Sequence, residues 1–224
     1  MKHLIAAAVA ALLSAGASYA GTVEFNVGRG WTGGWNSYTA SNGSEVLANG
    51  VIHDDGQITQ VGGIYAASWG GNHGGIGVCS GYISHGCRGD YAYDGSGHTV
   101  DGYGPDEGVA IYFADQVRIT SIEFSYIGHN DDMSLYAYGP GWGSPVRADE
   151  DNYIGNDLQE TDPYDFSDFI GQRFLVGTAD YKDDWKLHAI HFEMAPVPLP
   201  AAGGLLLAGL GGLALLRRRE RTAS

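Results

Sequence analysis

The sequence predicts an all-β protein whose body is an antiparallel β-sandwich of the jelly-roll-like kind, flanked by a signal helix and a transmembrane helix. Three observations lead to this prediction. Short runs of apolar residues alternate with polar ones, no apolar period of 3.6 residues persists in the body, and one brief apolar segment lies near each end. Alternation with period two is typical of half-buried strands. We assign residues 1–20 to a signal peptide, 21–195 to the sandwich and 196–224 to a C-terminal tail.

The N-terminal segment has the pattern of a secretory signal peptide. Lys2 and His3 precede an apolar stretch over residues 4–13. The small residues Ser18 and Ala20 occupy the minus-three and minus-one positions of a cut after Ala20. The apolar stretch is about half as long as the roughly 20 residues that a membrane-spanning helix needs. We therefore expect this segment to direct export and then to be removed.

The body contains a series of short alternating segments separated by turn residues. Glycine, serine and asparagine dominate residues 21–98, and the alternation is clearer after residue 100. Such spacing without intervening helices favours antiparallel strands that pack as a sandwich. The strands that the pattern predicts cover 22–27, 45–52, 57–61, 109–113, 122–126, 133–136, 174–177 and 187–194.

The body is strongly acidic. Between residues 21 and 200, seven Lys and Arg stand against twenty-five Asp and Glu, which gives a net charge of −18. A surface of this sign repels nucleic acid and anionic lipid, and it attracts divalent cations. The composition therefore excludes nucleic acid as an expected partner. The length suits one domain with a core of its own.

Cys79 and Cys87 are the two cysteines of the sequence. In an exported protein, two cysteines at this spacing predict a disulfide that closes a small loop and contributes about 2 to 3 kcal/mol. Two alternatives stay open. Residues 77–81 have the spacing of a nucleophile elbow with cysteine in the nucleophile's place, although no helical pattern follows. The two cysteines could also bind zinc together with His85, although a fourth ligand is missing nearby.

Acidic residues crowd the segment 149–160. Asp149, Asp151, Asp157 and Glu160 occupy the first, third, ninth and twelfth places of a calcium-binding loop of the EF-hand type. Tyr153 and Ile154 do not fit the fifth and sixth places, so a true EF-hand is not expected. Calcium held by this acidic loop is the predicted metal site, and no other cofactor is expected. The alternatives are calcium at Asp131 and Asp132 or at Asp183 and Asp184, or a solvated rim of acids without an ion.

The C-terminal tail joins a proline motif, an apolar span and an arginine cluster. The motif is Val197, Pro198, Leu199, Pro200 and Ala201, and the span 201–216 contains only Ala, Gly and Leu. Sixteen residues at about 1.5 Å each cover about 24 Å of a membrane core about 30 Å thick, which suits a transient anchor. The arginines are costly to move through lipid and set the topology by staying in the cytoplasm. They are Arg217, Arg218 and Arg219.

These tail residues resemble the sorting tails of bacterial PEP-CTERM proteins, in the variant that carries the Val-Pro-Leu-Pro-Ala motif. The resemblance implies recognition by an exosortase, a membrane-embedded cysteine protease that would cut near Pro200. It also implies an inner-membrane precursor and delivery of the body to the cell surface or an exopolysaccharide matrix. The body is loosely similar to the β-sandwich bodies joined to such tails, and no catalytic residue is implied.

The expected function is therefore a structural or adhesive role at the cell surface or in the extracellular matrix, without enzymatic activity. The expected partners are an exosortase and exopolysaccharide. A first alternative is a carbohydrate-binding module, with or without calcium, that stacks sugar rings on Trp31, Trp35, Trp69 and Trp142. A second alternative is a secreted glycan hydrolase, which would need two carboxyl groups in a cleft and a raised pKa on one of them.

Overall fold

The structure is a computed structural model, and it describes residues 19–25, 30–66, 74–79, 99–154, 162–178 and 180–195. Both predicted terminal helices lie outside these residues, apart from Tyr19 and Ala20 at the end of the predicted signal peptide. The described part of the chain contains no helix that is long and apolar enough to cross a membrane.

The described residues form thirteen strands and no helix, and every strand pair is antiparallel. The prediction of an all-β, antiparallel protein is confirmed. The strands are β1 (Ala20–Glu24), β2 (Gly30–Gly33), β3 (Asn36–Thr39), β4 (Glu45–Asp54), β5 (Gln57–Val61), β6 (Gly63–Ala66), β7 (Ile76–Cys79), β8 (Val100–Asp101), β9 (Asp106–Ser125), β10 (Asp132–Tyr138), β11 (Arg147–Tyr153), β12 (Pro163–Gly177) and β13 (Asp184–Met194).

Two long strands, β9 and β12, organise the sheet. The first part of β9 pairs with β4, where Phe113 lies opposite Val46. The last part of β9 pairs with β13, where Ile122 lies opposite Ile190. β12 follows β9 along both parts, with register shifts after Asp165 and after Gly171. These irregularities let the long strands bend, so one continuous sheet curves around a shared core in a sandwich-like arrangement.

One large apolar core lies inside this arrangement. Alternate residues of β4, β9, β10, β12 and β13 point into it, as the alternating pattern of the sequence predicts. Aromatic rings fill its centre: the rings of Phe113 and Phe192 lie 4.8 Å apart, and Trp185 packs edge-on against Phe124 at 5.0 Å. Burying each of these rings stabilises the fold by about 1.5 to 3 kcal/mol.

Candidate functional site

The two ends of the described body lie on neighbouring strands. β1 pairs with β13, and Ala20 lies opposite Glu193. The N–H of Met194 donates to the carbonyl oxygen of Tyr19 at 3.3 Å. The N–H of Ala195 donates to the carbonyl oxygen of Gln116 at 2.9 Å. The last residue of the predicted signal peptide and the last residue before the predicted tail are therefore close together in the fold.

The predicted sorting residues lie outside the described residues, both the motif 197–201 and the arginines 217–219. Cys79 is described: it ends β7, is fully buried and takes part in a disulfide. Cys87, the other cysteine of the sequence, lies outside the described residues.

The acidic segment 149–160 is not one loop. Asp149 and Asp151 belong to β11, an edge strand that pairs with β10. A strand advances about 3.3 Å per residue and does not wrap its side chains around one point. Asp157 and Glu160 lie outside the described residues. Across the part of the chain that the structure describes, no group of three or more His, Cys, Asp or Glu could hold a metal ion.

The alternative acidic pairs join two loops of the fold. The carboxyl oxygens of Asp131 accept the N–H groups of Gly128 and Asp184, and those of Asp183 accept the N–H groups of Asp132 and Asp180. Asp131 and Asp183 have no exposed surface. Their oxygens therefore accept hydrogen bonds from the backbone at and before the starts of β10 and β13.

The tryptophans give a clearer candidate site. Of the four predicted to bind sugar, Trp69 lies outside the described residues, and only the backbone of Trp31, in β2, is described. Trp35 and Trp142 come together, with ring centroids 5.5 Å apart and planes tilted by 36°. Trp35 is 45% exposed and Trp142 is half-buried. The ring of Trp142 also packs on that of Tyr138, at 5.1 Å.

The tryptophan pair borders one row of side chains on the outer face of the sheet, which is the face turned away from the main core. Residues opposite each other in neighbouring strands share a face. The strand registers link Ser37 to Leu47, Leu47 to Tyr112, Tyr112 to Arg173 and Arg173 to Tyr138 across β3, β4, β9, β12 and β10. We call these five residues the outer row. Four strand spacings of about 4.8 Å make it about 19 Å long.

A second, smaller apolar cluster supports the tryptophan pair. Trp142 and Ile58 of β5 both pack against this cluster. Its members are buried side chains of the outer face: Val51, Ala110, Tyr136, Tyr138 and Leu175. The turn between β4 and β5 folds over this cluster, because the hydroxyl of Tyr138 donates to the carbonyl oxygen of Gly56. Gly56 has a φ of +73°, and a Cβ there would lie 2.4 Å from the ring of Tyr136. The close approach therefore requires glycine.

His53 is buried under the same turn. Its Nε2 lies 3.2 Å from the carbonyl oxygen of Glu107, and its Nδ1 accepts the N–H of Gly56 at 3.3 Å. This pattern fits a neutral ring that carries its proton on Nε2. Burial lowers the pKa of His53 from 6.5 to about 4, although the bond to Glu107 and the charges of Asp55 and Asp54 act in the opposite direction.

Arg173 supplies positive charge in the outer row. Its guanidinium lies over the ring of Tyr112, 5.0 Å from the centroid, and donates to the carbonyl oxygen of Gly139 at 3.5 Å. Among the described residues, no carboxylate is within ion-pair distance of it. Most of its five N–H donors are therefore available to a ligand.

Two arrangements bear on the hydrolase alternative. His191 lies between a hydroxyl and a carboxylate: its Nδ1 is 2.9 Å from Thr22 Oγ1 and its Nε2 is 2.6 Å from Glu123 Oε1. These side chains stand on neighbouring strands, and the N–H of Thr22, which could stabilise an oxyanion, donates to Ser41 Oγ. Burial, followed by the charges of Asp54, Asp55 and Asp180, raises the pKa of Asp106. Asp106 thus combines a raised pKa with nearby carboxylates, which are two of the features that the hydrolase alternative requires.

Comparison with known proteins gives no relative: no protein-family model, curated protein or solved structure matches the chain.

Proposed function

We propose that the protein is an exported, non-enzymatic component of the cell surface or of an exopolysaccharide matrix, with a structural or adhesive role. In this proposal a signal peptide is removed after Ala20. An exosortase then cuts near Pro200 while residues 201–216 hold the precursor in the inner membrane. The body that remains is a jelly-roll-like β-sandwich.

The observation that carries the proposal is the sequence of the tail, in which the motif 197–201 directly precedes an apolar span and an arginine cluster. The fold is compatible with both cuts. Ser18–Ala195 forms one compact unit, and the strands at its two ends pair with each other. Removal of residues 1–20 would leave 21–24 of β1 paired with β13, so the body would keep its closing strand pair.

The proposal requires no cofactor for the surface role. Its partners are the exosortase and the exopolysaccharide, and the net charge of −18 disfavours nucleic acid. Calcium at the acids of 149–160 stays a prediction, now with Asp149 and Asp151 on an edge strand. It would relieve repulsion between like charges, since calcium takes several carboxylate oxygens at about 2.3 to 2.6 Å.

The experiment is replacement of both motif prolines in the producing cell, Pro198→Ala with Pro200→Ala. We expect the full-length chain to accumulate in the inner membrane, because the protease would no longer recognise the extended motif. Pro196→Ala is the matched control, since Pro196 lies outside the five-residue motif. Fractionation and immunoblotting report where the chain lies. Unchanged surface delivery of the double variant would show the processing step to be wrong.

A further inference from the structure

We propose that the Trp35–Trp142 pair and the outer row form a binding site for a neutral glycan, a chain of uncharged hexopyranose rings. The inference rests on the proposed function in one respect, which is that the protein meets the glycan outside the cell. The binding surface itself belongs to described residues, and its chemistry can be tested whether or not the tail is processed.

The first argument is the exposed ring surface. A pyranose has apolar C–H faces and polar edges, and it stacks on an indole ring whose face is open to solvent. Trp35 is 45% exposed although it already packs against Trp142. Part of its indole surface is therefore open to a stacking ligand.

The second argument is the rigidity of the platform. Trp142 is held by the ring of Tyr138 and by the small outer cluster, and the hydroxyl of Tyr138 is held by the turn at Gly56. A ligand that stacks on fixed rings pays little conformational entropy for ordering them. Trp35 is the more exposed ring of the pair, so it is the one more available for contact.

The third argument is the open space around the two indoles. Gly34 precedes Trp35, and Gly141 and Gly143 flank Trp142. A Cβ at any of these glycines would meet no atom within 4 Å. The backbone beside each indole is therefore uncovered at these glycines, which leaves room there for an extended chain.

The fourth argument is the polar complement of the rings. Arg173, next to Tyr138 in the outer row, is half-buried and offers N–H donors to sugar hydroxyls. Carbohydrate hydroxyls could accept these hydrogen bonds, whereas a purely apolar ligand would leave the guanidinium desolvated and unpaired.

The charges select an uncharged ligand. A body with a net charge of −18 repels a polyanionic chain, and Arg173 within the row repels an ammonium group. A neutral glycan avoids both penalties. The outer row offers such a chain contacts at its accessible members, which are Ser37, Leu47, Tyr112 and Arg173.

The experiment is calorimetric titration of the full-length chain, purified in detergent, with cellohexaose and mannohexaose as neutral probes and a galacturonic acid hexamer as the acidic probe. We expect saturable binding of at least one neutral probe, with weaker binding of the acidic one. Trp35→Ala should weaken binding about tenfold or more, since truncating an aromatic anchor commonly costs above 1.4 kcal/mol. Trp35→Phe, which keeps a ring, should retain more of the affinity than Trp35→Leu.

Tyr181→Ala is the matched control. Tyr181 is 65% exposed, and its ring lies 4.9 Å from that of Tyr103. The substitution therefore disrupts an exposed aromatic pair that lies outside the outer row. Its affinity should equal that of the wild type. Failure of both neutral probes to bind, or equal binding by wild type and Trp35→Ala, would overturn the site. Tighter binding of the acidic probe would overturn its neutral specificity. Either result leaves the processing proposal intact, because that proposal is read from the cellular location of the chain.

Discussion

Asp131 and Asp183 fasten their two loops to each other reciprocally. Asp131 Oδ1 accepts the N–H of Asp184 at 3.2 Å, and Asp183 Oδ1 accepts the N–H of Asp132 at 3.1 Å. Each carboxylate thus binds the residue that follows the other one. The indole Nε1 of Trp185 also donates to the carbonyl oxygen of Asp132, at 3.0 Å. Acids that the sequence offers as calcium ligands therefore act, in the structure, as acceptors for backbone N–H groups.

Asp183→Ala should lower the free energy of unfolding by about 3 kcal/mol. The substitution leaves the N–H groups of Asp132 and Asp180 without their acceptor, and bonds to a charged group are worth about 1.5 to 3 kcal/mol each. Urea denaturation measures the change. The matched control is Asp180→Ala, whose side chain is exposed and should change stability by no more than about 0.5 kcal/mol. Equal stability of Asp183→Ala and Asp180→Ala would show that the hydrogen bonds accepted by Asp183 do not stabilise the two loops.

His53 should make the protein sensitive to mild acid. Its pKa is about 4 in the folded chain and 6.5 when unfolded, so the unfolded state binds the proton more readily between these values. The contribution of His53 is fully present above pH 6.5 and is lost as the pH falls towards 4, with a total of about 3 kcal/mol.

The measurement is the pH dependence of unfolding for the wild type and for His53→Gln. The raised pKa values of Asp106 and Asp131 act in the opposite direction, and they are common to both proteins. The difference in slope between the two proteins therefore isolates His53. Parallel curves from pH 6.5 to 4 would show that the imidazole is not held neutral by the fold.

Gly177→Ala should destabilise the protein by about 2 kcal/mol or more. A Cβ at this position would lie 2.1 Å from His53 Nε2, and the imidazole is buried and bonded at both nitrogens. Overpacking of this kind typically costs 1 to 3 kcal/mol. Gly143→Ala is the control, because nothing lies within 4 Å of its Cβ. Thermal unfolding compares the two variants. If Gly177→Ala were as stable as Gly143→Ala, His53 would not be tightly packed against residue 177.

The alternation of apolar and polar residues predicted the strands that have one face on the core and the other towards solvent. Residues 57–61 coincide with β5, and 45–52 fall within β4. The predicted strands 109–113 and 122–126 both belong to the single strand β9, which ends one residue before the second of them does. The exposed residues 114–116 lie between them within the strand. The short strands β2, β3, β6, β7 and β8 were missed, because segments of two to four residues carry too little pattern. The strand β11 was also missed, because its run of acidic residues has no apolar alternation.

The sequence also singled out Trp35 and Trp142 without showing that they meet. Their contact depends on the loop after β10 and on the register of β3 with β4, which are long-range features. Tyr112, Tyr138 and Arg173 were not recognised as neighbours of the pair. The alternation did place Tyr112 on the outward face, opposite Ile111 and Phe113. That signal could have found the outer row once the strand registers were known.

Cys87→Ser should lower the free energy of unfolding by about 2 to 3 kcal/mol if Cys87 is the partner of Cys79. A ring of this size removes that much chain entropy from the unfolded state. Thiol titration of the unfolded wild type should find free thiols only after reduction, because Cys79 is disulfide-bonded. Two reactive thiols without reductant would contradict the intramolecular disulfide.

The most direct test of the processing account is the intact mass of the protein taken from the surface of the producing cells, together with sequencing of both ends. The account predicts an N-terminus at Gly21 and a C-terminus near Pro200, with the span 201–216 and the arginines absent. A mature protein that still carries Met1 and Ser224 would contradict it.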